Sequence, residues 1–149
     1  MLDTLLYTAG FLVISILLFG ITAIYRFGKI KKRLRELLSV QLILGSAGEL
    51  DLDPVKDHFV VGYIVKFACD FADIYRSNNR WLLVHSGLNL AFGKRTPAVS
   101  QTENFANQFD SDEFLLGVAL AKVDLLLFVN EGAPTLNLAT HLRETYHAK

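Results

Sequence analysis

Residues 4–25, TLLYTAGFLVISILLFGITAIY, form a run of 22 positions without a charge. At about 1.5 Å per residue a helix over this run reaches roughly 33 Å, enough to cross a hydrocarbon core of about 30 Å. Beyond Tyr25 the pattern turns amphipathic. Ile30, Leu34, Leu37, Leu38 and Leu42 recur at helical spacing within residues 29–44, which predicts that the helix continues past the apolar run with one buried stripe. Gly45-Ser46-Ala47-Gly48 then breaks it.

The next pattern starts at Asp53-Pro54, an acid at the capping position followed by proline at the first helical one. Val60, Ile64, Phe67, Phe71 and Ile74 alternate steps of four and three, with Lys66, Asp70, Asp73 and Ser77 opposite, predicting a helix of about six turns that ends at Ser77-Asn78-Asn79. Arg80–Phe92 fits a strand through Leu88, Leu90 and Phe92 and a helix through Trp81, Val84, Leu88 and Ala91. A lone strand has nothing to pair with, so helix is the reading. Residues 93–100, with Pro97, read as a loop, after which Thr102 caps a short helix carrying Phe105 and Phe109.

Ser111, with Asp112 and Glu113 behind it, opens a long apolar helix that closes at Glu131-Gly132, with Pro134 beyond. Lys122 and Asp124 lie in its middle, and each costs about 2.5–3.5 kcal/mol in a bilayer, so it reads as a core helix and not as a second span. Thr135 caps a last helix bearing Leu136, Ala139, Leu142 and Tyr146. The expected fold is all-α: one amino-terminal transmembrane helix (1–25), a basic juxtamembrane helix (26–44) and a cytoplasmic bundle (45–149), with about five helices after the span.

Charge decides the orientation of this scheme. Arg26, Lys29, Lys31, Lys32, Arg33 and Arg35 crowd into the ten positions after the apolar run, whereas residues 36–149 hold 9 Lys and Arg against 14 Asp and Glu. Basic residues beside a span stay in the cytoplasm and meet anionic head groups, so the amino terminus is expected outside and the bundle inside. A cleaved signal competes through Ile21-Thr22-Ala23, but a signal carries its positive charge before the apolar stretch, and here it follows. The acidic body repels phosphates, so no nucleic-acid partner is expected. Thr8, Ser15 and Thr22, seven apart, form a hydroxyl stripe suited to helix association and a homo-oligomer in the membrane, the alternative being that each hydroxyl satisfies a backbone carbonyl of its own helix.

Little points to chemistry. No two of His58, His85, His141 and His147 stand at the spacing of a helical metal pair, Gly45-Ser46-Ala47-Gly48 lacks the Lys-Ser/Thr of a phosphate loop, and no cofactor is called for. Lys66 and Arg76 are placed to pair with Asp70 and Asp73. Cys69 cannot form an internal disulfide, being the chain's one cysteine, and no neighbouring histidine stands at helical spacing from it.

Arg80-Trp81-Leu82-Leu83-Val84-His85 has an arginine and a histidine separated by four residues, a spacing that resembles the R-x4-6-H motif of the HEPN ribonuclease family. That resemblance implies an anchored ribonuclease in which Arg80 and His85 act on a ribose hydroxyl and a phosphate, usually across a dimer. Trp81 departs from the motif, whose second position is usually small and polar. The leading expectation is instead a non-enzymatic single-pass protein whose helical domain docks or regulates a protein partner, as an accessory subunit of a membrane assembly or a membrane-held receptor. Phe105 and Phe109 are its candidate contact residues. A third expectation is a lipid or small apolar ligand held between the helices around residues 59–71 and 114–128.

Overall fold

The computed structural model describes residues 2–46 and 51–147. It contains α1 (Leu2–Gly45), α2 (His58–Ile74), α3 (Arg80–Phe92), α4 (Thr102–Ala106), α5 (Asp112–Glu131) and α6 (Asn137–His147), with short 3-10 turns at Gly93–Arg95 and Val99–Gln101. Among the described residues there is no strand. The apolar run and the basic segment are one continuous helix of 44 residues, about 66 Å long.

The two halves of α1 have opposite surroundings. In the first, Phe11, Phe19 and Ile24 are each about three-quarters exposed or more, and none of the apolar window is covered by the rest of the chain. A core helix would be buried, so this is a helix long and apolar enough to cross a membrane that the domain leaves bare. In the second half Ile30, Leu34, Leu38 and Gln41 are buried at steps of four, four and three, which lays one stripe against α3 and α6.

Small residues set the helix crossings. A Cβ on Gly62 of α2 would collide with the Phe114 carbonyl oxygen, and one on Gly117 of α5 would collide with that of Phe59. The α2–α5 contact, the most extensive between helices, is therefore a backbone-to-backbone approach that only glycine permits. Phe59, Tyr63, Phe67 and Phe71, one turn apart on α2, are fully buried and stacked in succession behind it. That ladder belongs to the buried hydrophobic core.

Several boundaries differ from the sequence pattern for local reasons. Asp53-Pro54 makes a turn, not a helix start: the Asp53 carboxylate accepts from the Val55 amide at 3.0 Å, the Asp57 carboxylate accepts from the Asp53 amide at 2.6 Å, and α2 begins only at His58. Thr102 turns its hydroxyl back to the Ala98 carbonyl at 3.2 Å and does not cap α4. Thr135 does not cap α6 either, because that helix begins at Asn137 and is capped from elsewhere in the fold. Ser111 does cap α5, accepting from the Phe114 amide at 3.2 Å, and Gly132 ends it in the left-handed region at φ +65°. The break at Gly45 is present, with 47–50 outside the described residues.

Candidate docking face and membrane interface

Helix α5 turns most of its leucines outward. Leu115, Leu116, Val123, Leu126 and Val129 are each about half exposed, and with Ala119 they fall within about 140° of the helix circumference over about 21 Å. Lys122 is the charged residue on this strip. Inward, α5 presents Phe114, Gly117, Ala121, Asp124 and Leu125. The helix is thus a core helix on one side only. Beside the strip lies a cleft of about 280 Å³ lined by Asp70, Asp73, Ile74, Lys122, Leu125, Leu126 and Val129. Contiguous apolar surface with a recess and a polar rim is the physical mark of an association site.

The inward side explains why α5 adopts this rotation. The Tyr63 hydroxyl donates to Asp124 Oδ2 at 2.5 Å, which also accepts the Asn137 backbone amide at 3.0 Å, while Asp124 Oδ1 accepts Asn137 Nδ2 at 2.8 Å. Gln41 Nε2 donates to Tyr63 Oη at 2.8 Å and to Thr135 Oγ1 at 3.0 Å, and its Oε1 accepts the Leu138 amide at 3.0 Å. Asp124 and Gln41 together cap the amino end of α6 from two other helices. Burial raises the Tyr63 pKa, and the adjoining carboxylate raises it further, so the phenol remains a neutral donor. Turning α5 to bury more leucine would cost this network its acceptor, leaving buried donors unpaired at about 1–3 kcal/mol each.

The six basic residues surround α1 on the sides not facing the core. Arg26 Nη2 donates to the Tyr75 carbonyl at 3.2 Å, Lys29 lies over the Tyr25 ring at 4.6 Å, Arg33 lies 5.8 Å from the Phe128 ring and Lys32 is 3.9 Å from Glu36. Lys31 and Arg35 are half-buried beside Leu90. Arg35 lies about 15 Å along the axis from Tyr25 and Arg26 about 1.5 Å, so the earliest of the six would feel a membrane surface most strongly.

The remaining candidates are placed as follows. Ser15 and Thr22 donate to the carbonyls of Phe11 and Leu18 at 2.8 and 2.7 Å, spending their hydroxyl protons within α1. Phe105 and Phe109 are half-buried, edge to face with each other, and Phe109 also meets His58 and Phe114, so both pack against the core. Arg80 is exposed and binds Asp73 at 2.5 Å, a contact that raises its pKa, whereas the spacing points to Arg76 as the partner of Asp73. Lys66 pairs with Asp70 at 2.8 Å, as the spacing suggests. His85 follows Arg80 by five residues on α3, which sets their side chains about 140° apart. It is half-buried, its Nδ1 lacking a hydrogen-bond partner among the described residues. Within one chain the two do not converge. Burial pushes the Cys69 thiol up to about 11, away from a reactive thiolate. No cluster of three or more metal-ligating side chains occurs among the described residues.

Gln41, Tyr63 and Asn137 escape a reading by periodicity, since Gln41 sits on an apolar stripe and Tyr63 one step from one. The signal in the sequence is Asp124 itself, an acid amid leucines that a fold tolerates only with several donors around it. The chain matches no protein-family model, no curated protein and no solved structure.

Proposed function

We propose that this protein is a single-pass membrane protein whose helical domain, held in the cytoplasm by the basic flank of α1, docks a protein partner through the outer face of α5. The exposed strip Leu115, Leu116, Ala119, Val123, Leu126 and Val129 carries the reading. Folding leaves it uncovered although the same helix buries a carboxylate, and association with a complementary apolar helix would remove it from water. The first half of α1, uncovered among the described residues, supports residence in a bilayer, whose acyl chains would give its side chains apolar cover. Tethering confines the domain to a surface and raises its effective concentration toward a partner in the same membrane, so a small interface suffices.

The test is a photoreactive amino acid placed at Leu126 in the full chain in living cells, with Lys56, exposed on the turn before α2, as the comparison site. The reading expects one discrete membrane-fraction adduct from position 126 that is heavier than the chain by a whole protein and is lost in a Val123→Glu background. Equal labelling from both positions, adducts of two copies of this chain alone, or none, would overturn it.

A further inference from the structure

Where α1 leaves its apolar run, a second cleft of about 310 Å³ opens between that helix and the turn joining α2 to α3. One wall is Phe19, Thr22, Ala23 and Phe27, apolar and continuous with the run, and the other is Arg76, Ser77, Asn78 and Asn79, with Arg26 between them. Arg26 is held in place by its bond to the Tyr75 carbonyl. The Arg76 guanidinium makes no hydrogen bond or ion pair among the described residues.

Arg76 is also the one residue other than glycine with positive φ among the described residues, at +51°. It ends α2 in a Schellman arrangement, with the Ser77 amide donating to the Ala72 carbonyl at 2.8 Å. Glycine takes this conformation freely, whereas a side chain there costs about 1 kcal/mol. An arginine that strains the backbone and returns no contact to the fold has its use outside the fold.

We infer that this cleft binds the phosphate of a membrane phospholipid, Arg26 and Arg76 flanking the headgroup while an acyl chain lies along Phe19, Ala23 and Phe27. The chemistry recognised is a phosphate oxyanion between two fixed positive charges. A free phosphate ion shares it, but the apolar wall running down from the same cleft favours the lipid. The inference rests on the bilayer residence proposed above.

Native mass spectrometry of the full chain, extracted in mild detergent and offered phosphatidylglycerol, tests it against Arg76→Gly and Arg76→Lys. The expected result is one retained lipid on the unaltered protein and on Arg76→Lys, and about fivefold less on Arg76→Gly, with the melting temperature of Arg76→Gly unchanged or higher. Millimolar inorganic phosphate should neither add its own mass nor displace the lipid. Equal lipid retention by Arg76→Gly, or displacement by phosphate alone, would overturn the inference. Flotation of the full chain with vesicles separates this outcome from failure of the anchor, since a chain that floats yet shows no difference among the variants has lost the cleft and kept the membrane.

Discussion

The Tyr63 hydroxyl and the Asp124 carboxylate meet at 2.5 Å in the interior, joining α2 to α5. Around that bond Gln41 and Asn137 bring in α1 and α6, so that four helices share one polar centre. Replacing Tyr63 by Phe removes its bonds to Asp124 and Gln41, although Gln41 Nε2 keeps Thr135 as an acceptor, and is expected to cost about 2 kcal/mol; Asp124→Ala strands the Tyr63 hydroxyl and both Asn137 donors and is expected to cost about 3 kcal/mol or more. Denaturant titration of the full chain in micelles measures both, and an Asp124→Ala no worse than Tyr63→Phe would contradict the network.

Two glycines should respond to alanine with opposite signs. Helix propensity favours alanine by up to about 1 kcal/mol, and a Cβ added to Gly28 in α1 would meet nothing within 4 Å, so Gly28→Ala should stabilise. At Gly117 the same methyl group would collide with the Phe59 carbonyl oxygen and lie 2.8 Å from the Tyr63 nitrogen, neither of which can step aside. Forcing α2 and α5 apart costs about 1–3 kcal/mol, so Gly117→Ala should lower the melting temperature, and a rise at both sites would refute the close approach.

Stability should fall below neutral pH in a manner traceable to His141. Its ring stacks on Phe59 with centroids 3.6 Å apart, and burial lowers its pKa from 6.5 although Glu113, Glu144 and Asp57 pull it upward. Above the unfolded value the ring is neutral in both states; as pH falls through about 6.5 toward the folded value, the unfolded chain takes the proton first and stability declines. Melting curves at about pH 8 and about pH 5.5 should diverge less for His141→Gln than for the unaltered chain. An identical divergence would assign the effect to other groups.

On the outer face of α5, Val123→Glu and Leu126→Lys should leave stability within about 0.5 kcal/mol, since neither position is buried. Val123→Glu should abolish partner crosslinking from a probe at Leu126, and Leu126→Lys from a probe at Val123. Loss of stability equal to a core substitution would mean the strip packs within the chain.

Neutralising the basic flank separates its members by depth. Arg26→Gln with Lys29→Gln removes the two charges nearest Tyr25 and should cut anionic-vesicle binding more than Arg33→Gln with Arg35→Gln, each near charge contributing about 1 kcal/mol. Vesicle sedimentation at low and high salt measures the difference; equal losses would show that distance along α1 does not matter.

By itself the sequence determined what is local. The uncharged run, the stripe through Ile30, Leu34 and Leu38, the Ser111 cap and the Gly132 stop each record a burial or hydrogen-bond need that neighbouring residues state together, and α3 was legible because a lone strand would lack a partner. Tertiary structure decided what no window contains. Asp124 and Asn137 are thirteen residues apart, and Gln41 and Leu138 ninety-seven, so the cap of α6 could not be read from Thr135 and its neighbours. The rotation of α5 was likewise open, because a helix apolar nearly all round has no local reason to bury one side over another. Asp124 supplied that reason only once Tyr63, Asn137 and the two glycine crossings came together in space, and the same rotation left most of the leucines of α5 facing water.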